Sequence, residues 1–187
     1  LREDAALTLA GAGDPILSPD LHKIVSLARR AGIASVHIRT DLICDPAVAD
    51  SLLESGADII SVDLMADTPA AYKAVMGIDH FDRVRDNLIR LLERRSKLPT
   101  HAGLPYPFIV PRITRCDAVY HDIEPFYDRW LMAAGAAVID PLPIPISGDR
   151  IEPLPVPAAA QRRLARERMT ILSDGRVPFI DTDLSGD

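Results

Sequence analysis

The chain is 187 residues long, with 48% hydrophobic and 26% charged residues, the balance of a globular domain with one sizeable core. Its 21 Lys and Arg stand against 27 Asp and Glu for a formal net charge of -6, and no Lys/Arg cluster follows one face of any segment, which excludes a general nucleic-acid binder. No apolar run approaches the roughly 20 residues that span a bilayer, the start Leu1-Arg2-Glu3-Asp4 is too acidic for a signal peptide, and Cys44 and Cys116 alone build neither a disulfide framework nor a three- or four-thiolate metal site, so a soluble, cytoplasmic protein without a membrane partner is expected.

In chain order, short apolar runs rich in β-branched residues alternate with longer amphipathic stretches, the signal of repeated βα units and a parallel sheet. Ala6–Ala10 reads as a strand. Ser18-Pro19-Asp20 then reads as the start of a helix, with Ser18 at the N-cap and Pro19 at the first helical position, and Gly32 as its left-handed end. Ala34–Ile38 is a second strand, Asp45-Pro46 opens a helix running to Glu54, and Asp58–Leu64 is a third strand, apolar enough for burial on both faces. Pro69–Met76 predicts a short helix and Phe81–Arg95 a long one, with Val84, Leu88, Leu91 and Leu92 inward. A loop follows over 97–107. Tyr106–Ile113 is a fourth strand that Pro107 and Pro111 assign to an edge or a frayed pairing, Asp117–Ala134 a helix, and Ala136–Asp140 a fifth strand.

Beyond Asp140 the pattern changes. Six prolines between Pro141 and Pro157 predict an extended connector. Ala158–Arg168 reads as a basic helix whose arginines form a solvated face, and the apolar runs flanking Asp174-Gly175 as a hairpin. Three segments are expected: a partial βα barrel at 1–140, a Pro-rich connector at 141–157 and an extension at 158–187.

In parallel βα architectures ligands bind where loops leave the carboxyl ends of the strands. Those loops carry Gly11-Ala12-Gly13-Asp14-Pro15, Arg39-Thr40-Asp41, Ser61-Val62-Asp63, Arg112-Ile113-Thr114-Arg115 and Asp140. The rim therefore suits a zwitterionic or polyhydroxylated ligand held by charge-assisted hydrogen bonds. Asp14 admits two readings, an acceptor for an ammonium group or a carboxylate that caps its own turn. Asp63 is either an acceptor for sugar hydroxyls or a strand-end cap, and Arg112 and Arg115 either clamp a carboxylate or are solvated. The five histidines show no ligand spacing and read as ordinary surface or core residues.

Gly11-Ala12-Gly13-Asp14-Pro15-Ile16-Leu17-Ser18-Pro19-Asp20-Leu21, Ile60-Ser61-Val62-Asp63, Tyr72-Lys73-Ala74-Val75-Met76-Gly77, and Ile171-Leu172-Ser173-Asp174-Gly175-Arg176-Val177-Pro178 with Asp181 and Asp183 together resemble, in this order, segments of the radical SAM enzymes that bear a SPASM-type C-terminal extension. The resemblance implies an α/β fold, a partial TIM-like barrel carrying five of the six family strands, with S-adenosylmethionine (AdoMet) across the strand ends. It implies that Gly11, Gly13 and Asp14 hold the methionine amino group and that Ser61 and Asp63 lie near the ribose; Thr40, Arg112 and Arg115 join them by position. No catalytic residue is assigned. In the family a Cys-x-x-x-Cys-x-x-Cys loop after the first strand holds a [4Fe–4S] cluster that cleaves AdoMet to a radical.

This sequence lacks that loop, and Gln161 and Ile180 stand where relatives place cluster cysteines in the extension. The expectation is a truncated or degenerate member whose parent modifies a peptide, protein or small molecule by radical chemistry, with neither cluster nor turnover in these residues alone. Dimerisation through the uncovered edge of the first strand is expected too. One alternative is a non-enzymatic binding module on a cluster-free barrel. Another, resting on fold analogy, is a small hydrolase or aldolase that uses Asp14, Asp63 and Asp140 with a divalent ion.

Overall fold

A computed structural model describes residues 5–11, 13–140, 154, 169–172 and 174–177. Its first strand, β1 (Ala6–Leu9), is followed by α1 (Leu21–Arg30), β2 (Ser35–Thr40), α2 (Pro46–Ser51) and β3 (Ile59–Met65). Next come α3 (Pro69–Met76), α4 (Phe81–Arg95), the short strands β4 (Thr100–His101) and β5 (Leu104–Pro105), β6 (Phe108–Thr114), α5 (Ile123–Ala134) and β7 (Val138–Asp140). Five strands form one sheet in the order β1-β2-β3-β6-β7, every pair parallel. Strands adjacent in this sheet also follow one another along the chain, apart from the small β4–β5 hairpin. That is the winding of a partial βα barrel and not of a sheet wound both ways from its middle.

The period of two divides each strand between two faces. On the outer face Val36, Ile38, Ile60, Val62, Leu64, Ile109 and Ile113 are buried in one cluster with Leu21 and Val25 of α1, Val84, Leu88 and Leu91 of α4, and Phe126 and Trp130 of α5. Each such aliphatic side chain contributes about 1.5–3 kcal/mol by leaving water. The alternate positions carry Thr8, His37, Arg39, Ser61, Asp63, Arg112 and Asp140, bonded to one another across the strands. Toward the carboxyl ends of the strands the inner face is mostly polar, whereas Ile59, Phe108 and Val110 lie on the same side nearer the amino ends.

Local chemistry sets the helix ends. Thr68 Oγ1 accepts the Ala71 N–H, Pro69 fills the first turn and Gly77 leaves α3 at φ +69°, so α3 keeps the bounds that its sequence predicts. Gly32, at φ +81°, follows α1, where the Ile33 N–H reaches back to the Ala28 carbonyl and the Gly32 N–H to Arg29, a Schellman ending. The start of α1 differs from the expectation. Ser18 closes a 3-10 turn over Pro15–Leu17 whose cap is Asp14, and α1 begins only at Leu21 with Asp20 at its N-cap and no side-chain cap bond. Asp14 accepts the Ile16 N–H, so the first helical signal is spent on that short turn.

Two further corrections concern the second half. The fourth strand of the main sheet, β6, lies between β3 and β7 and not at an edge. Pro111 is tolerated because β7 pairs only from Arg112 onward, so at Pro111 itself β3 is the single neighbour. The predicted helix over 117–134 divides into a 3-10 segment, Asp117–Asp122, and α5. Asp122 caps no bond of its own helix. Its Oδ2 accepts the N–H groups of Asp67 and Thr68, at 2.8 and 2.9 Å, and the Thr68 hydroxyl at 3.0 Å, tying the entrance of α3 to α5.

The connector and basic helix predicted beyond Asp140 lie outside the described residues, except Leu154. Of the predicted hairpin, the described residues show a turn in which the Leu172 N–H donates to the Arg176 carbonyl at 2.8 Å, with Gly175 at φ +87°.

Candidate functional site

The loops at the carboxyl ends of the strands are pinned by the half-buried Asp14 and the buried Thr40 and Asn87. After β1, Asp14 Oδ2 accepts the Thr40 hydroxyl at 2.8 Å and the Asp41 N–H at 2.9 Å, while Oδ1 takes the Ile16 N–H at 3.1 Å. Thr40 Oγ1 in turn accepts the Leu42 N–H at 2.9 Å, which holds Leu42 at φ +56°. From α4 the buried amide of Asn87 donates to the Leu42 and Cys44 carbonyls at 3.2 and 3.0 Å. Asp14 and Thr40, both named from sequence, therefore belong to one connected tie between the β1 and β2 loops. Gly11, at φ +145°, and Gly13 are exposed, with no atom within 4 Å of where a Cβ would stand.

On the inner face a chain of contacts crosses β1, β2 and β3: Thr8 Oγ1 lies 3.4 Å from His37 Nδ1, and His37 Nε2 lies 2.8 Å from Ser61 Oγ. Nearer the carboxyl ends, two arginines and two aspartates from four strands form a ring. Arg39 Nε donates to Asp63 Oδ2 at 2.5 Å and Arg39 Nη2 lies 3.2 Å from Asp140 Oδ2. Arg112 Nη2 donates to Asp140 Oδ2 at 2.7 Å. Arg112 Nε stands 3.3 Å from Asp63 Oδ1, close enough for charge attraction, yet neither atom makes a hydrogen bond among the described residues. That fourth side is an electrostatic contact without alignment.

Burial and charge act against each other here. Burial pushes the Asp63 carboxyl above its usual range despite Arg39 and Arg112, with Asp140 adding to the rise. Burial disfavours the charge on Arg39, but Asp63 and Asp140 outweigh it and raise its pKa. Asp41 at the end of β2 is pushed up to about 6 by burial, then by Asp14 and Asp63, with Arg39 opposing. Its carboxylate makes none of the ion pairs of the rim. A β-bulge between Asp63 and Met65, with Met65 at φ +65°, breaks the β3–β6 register beside this ring. Bulges of this kind re-aim side chains near sites.

The structure thus brings Asp14 and Thr40 into one cluster and Asp63 and Arg112 into another, with Ser61 beside His37. Arg115 is engaged through its backbone, its N–H donating to the Asp140 carbonyl at 3.0 Å and its carbonyl accepting from Leu154 N at 3.2 Å. Sequence reasoning placed Arg39 and Asp140 on the rim without giving them a role toward AdoMet, and it left His37 and Asn87 out. Arg39 and His37 carried the one available signal, a strand that alternates polar and apolar positions over 36–40.

Metal ligation finds no support in this geometry. Among the described residues no group of three or more His, Cys, Asp or Glu is placed to hold a metal ion, and Asp63 and Asp140 face arginines. Cys44 and Cys116 are buried, and burial pushes the Cys44 thiol up to about 11 and the Cys116 thiol upward as well. High thiol pKa values mark inert cysteines. No helix of the described residues is long and apolar enough to cross a membrane.

Comparison with known proteins adds two similarities. A curated protein of Metallosphaera sedula, described as a probable GTP 3′,8-cyclase, is 33% identical over 72 residues, 38% of this chain and 23% of that protein. A solved structure, native anSMEcpe with bound AdoMet and the Cp18Cys peptide, superposes with a TM-score of 0.53 at 15% identity, covering 75% of this chain and 40% of the other. The chain spans less than a quarter of that curated relative and two fifths of that structure. No protein-family model matches.

Proposed function

Because these similarities relate the chain to the radical SAM superfamily, we propose that its 187 residues form the AdoMet-holding, substrate-lining part of such a barrel. The observation that carries this reading is the polar inner face beside an open glycine loop at the carboxyl ends of the strands. Among the described residues Asp63 Oδ1 is a buried acceptor without a hydrogen-bond donor, the complement of a ribose hydroxyl, and Ser61 stands two residues away on the same face. Gly11 and Gly13 leave the backbone open to close approach. Asp14 is already engaged three times, so its contribution to the methionine amino group is mainly to shape the loop and supply negative charge.

AdoMet, when bound in a complete enzyme of this superfamily, supplies the 5′-carbon on which radical chemistry starts. This chain's residues orient it. Thr40 and Asp14 fix the loop and Ser61 and Asp63 hold hydroxyls, while Arg112 on β6 steadies Asp63 and Asp140 beside them. The thiolate cluster does not fit here, since Cys44 and Cys116 are the only cysteines of the sequence and both are buried, high-pKa thiols. No step through a cluster is derived. Radical modification of a peptide, protein or small molecule is accordingly proposed for the whole protein, and AdoMet binding without turnover for these 187 residues.

The test is equilibrium binding of AdoMet to the purified chain by calorimetry, with Asp63→Asn and Gly13→Val as variants. Saturable binding, weakened by both variants, supports the reading. Absence of binding by a chain that melts cooperatively refutes it.

A further inference from the structure

We infer that Arg112 and Thr114 form a second subsite on the inner face, one that takes a neutral carboxamide group of the other reactant and not a phosphate. The inference rests on the reading above in one respect: with AdoMet over β1 to β3, the β6–β7 end of the same face is left to the molecule that meets it.

Arg112 and Thr114 are two residues apart on β6, so the pleat turns both inward. Thr114 is 3% exposed, and among the described residues neither its buried Oγ1 nor Arg112 Nε, which stands 3.3 Å from Asp63 Oδ1 without aligning on it, has a hydrogen-bond partner. Buried polar atoms are nearly always paired, and two unpaired ones at successive inward positions mark a place completed by a ligand. Across the β6–β7 pairing, Thr114 is in register with Asp140, which joins the subsite to the Arg–Asp ring.

The donor inventory selects the ligand. The Nε–H of an arginine only donates, and a threonine hydroxyl donates or accepts. A carboxamide presents a carbonyl to the first and an N–H to the second. A phosphate fits poorly, because Arg39 and Arg112 are already matched in charge by Asp63 and Asp140, whose side chains are 5% and 11% exposed. The ring has no net positive charge to offer an anion, and two buried carboxylates would stand against it.

The experiment follows the Arg112 Nε–H resonance by NMR in the 187-residue chain, identified by its loss in Arg112→Lys, during titrations with N-acetylglycinamide and with GTP. Saturable shifts with N-acetylglycinamide are expected, with Thr114→Val weakening the affinity about fivefold, the loss of one hydrogen bond, and Thr114→Ser retaining it. GTP should leave the resonance in place. Saturable shifts with GTP, no shift with N-acetylglycinamide, or an unchanged affinity in a folded Thr114→Val variant would each overturn the inference. A parallel AdoMet titration read at the Gly11 and Gly13 amides reports separately on the AdoMet reading.

Discussion

Arg39 and Asp140 lie 3.2 Å apart, Nη2 to Oδ2, although β2 and β7 are separated in the sheet by β3 and β6. Three strand spacings of about 4.8 Å make roughly 14 Å along a flat sheet. The contact therefore needs both the reach of the arginine and a sheet that curls toward its inner face. Curvature turns four separate strand ends into one ring, with Arg112 facing Arg39 across the two aspartates.

That ring should behave as a unit in stability measurements. Arg112→Met leaves Asp63 and Asp140 short of a counter-charge and is expected to cost about 3 kcal/mol, the low end for breaking a largely buried pair. The double variant Arg112→Met with Asp140→Leu should cost less than the sum of its two single variants, because each single change strands a charge that the double change removes. Urea unfolding of the four proteins measures this. Strict additivity would show that the ring is not coupled.

The acid–base behaviour of two aspartates should have opposite signs. Asp41 has its folded-state pKa raised to about 6, against about 3.9 unfolded. Its favourable contribution is therefore complete below the unfolded value and is lost as pH rises toward and through 6. Asp41→Asn should be more stable than the parent at pH 8, by about 1 kcal/mol after allowing for partial exposure, and should show no advantage at pH 4. Burial pushes Asp58 up, but hydrogen bonds from Val36 N–H, Tyr106 and Arg29 outweigh it and lower its pKa. Its stabilisation is present above the unfolded value and fades as pH falls through the folded one, so Asp58→Asn should be destabilising at pH 7 and nearly neutral in acid. Melting temperatures across pH 4 to 8 check both signs.

Tyr72 offers a test on the packing side. The side chain is fully buried against Phe81, with ring centroids 5.9 Å apart, and its hydroxyl has no hydrogen-bond partner among the described residues. Burial, assisted by Asp41, pushes that hydroxyl up to about 12. Removing it in Tyr72→Phe is expected to stabilise the chain by about 1 kcal/mol, since an unpaired buried hydroxyl carries its desolvation cost uncompensated. Tyr72→Ala should lose about 3–5 kcal/mol through the cavity. A destabilised Tyr72→Phe, seen in chemical denaturation, would show that the hydroxyl has an acceptor in solution.

Among the described residues β1 pairs with β2 alone, and its other edge is a row of backbone groups suited to pairing with a second chain. We expect self-association that grows with concentration in sedimentation velocity. A sharp monomer boundary throughout a broad concentration range would contradict it.

Much of the scaffold was legible because the signals were local. Pro69–Met76 and Phe81–Arg95 match their predicted bounds, the former because a threonine cap, a proline in the first turn and a glycine beyond the end all agree. Ser18-Pro19 carried the same kind of signal and misplaced the start of α1, since Asp14 upstream had already captured the chain in a 3-10 turn. Pro111 argued for an edge, and only the register of β7 shows why a strand between two others accepts it. At the site, the loop tie of Asp14 with Thr40 is short-range in space but spans the β1–α1 unit, and sequence supplied both residues without their bond. All four ring residues stood on the rim that the sequence marks, but their pairing did not show there, because Arg39 and Asp140 meet through sheet curvature, which no local pattern encodes.

The most direct test of the central claim is an amide NMR titration of the 187-residue chain with AdoMet. The account predicts saturable shifts gathered at the carboxyl ends of the strands, at Gly11, Gly13, Asp41 and Ser61, with Gly32 and Gly56 at the opposite end unmoved. Shifts centred on Gly32 and Gly56, or no saturable shift in a folded protein, would contradict it.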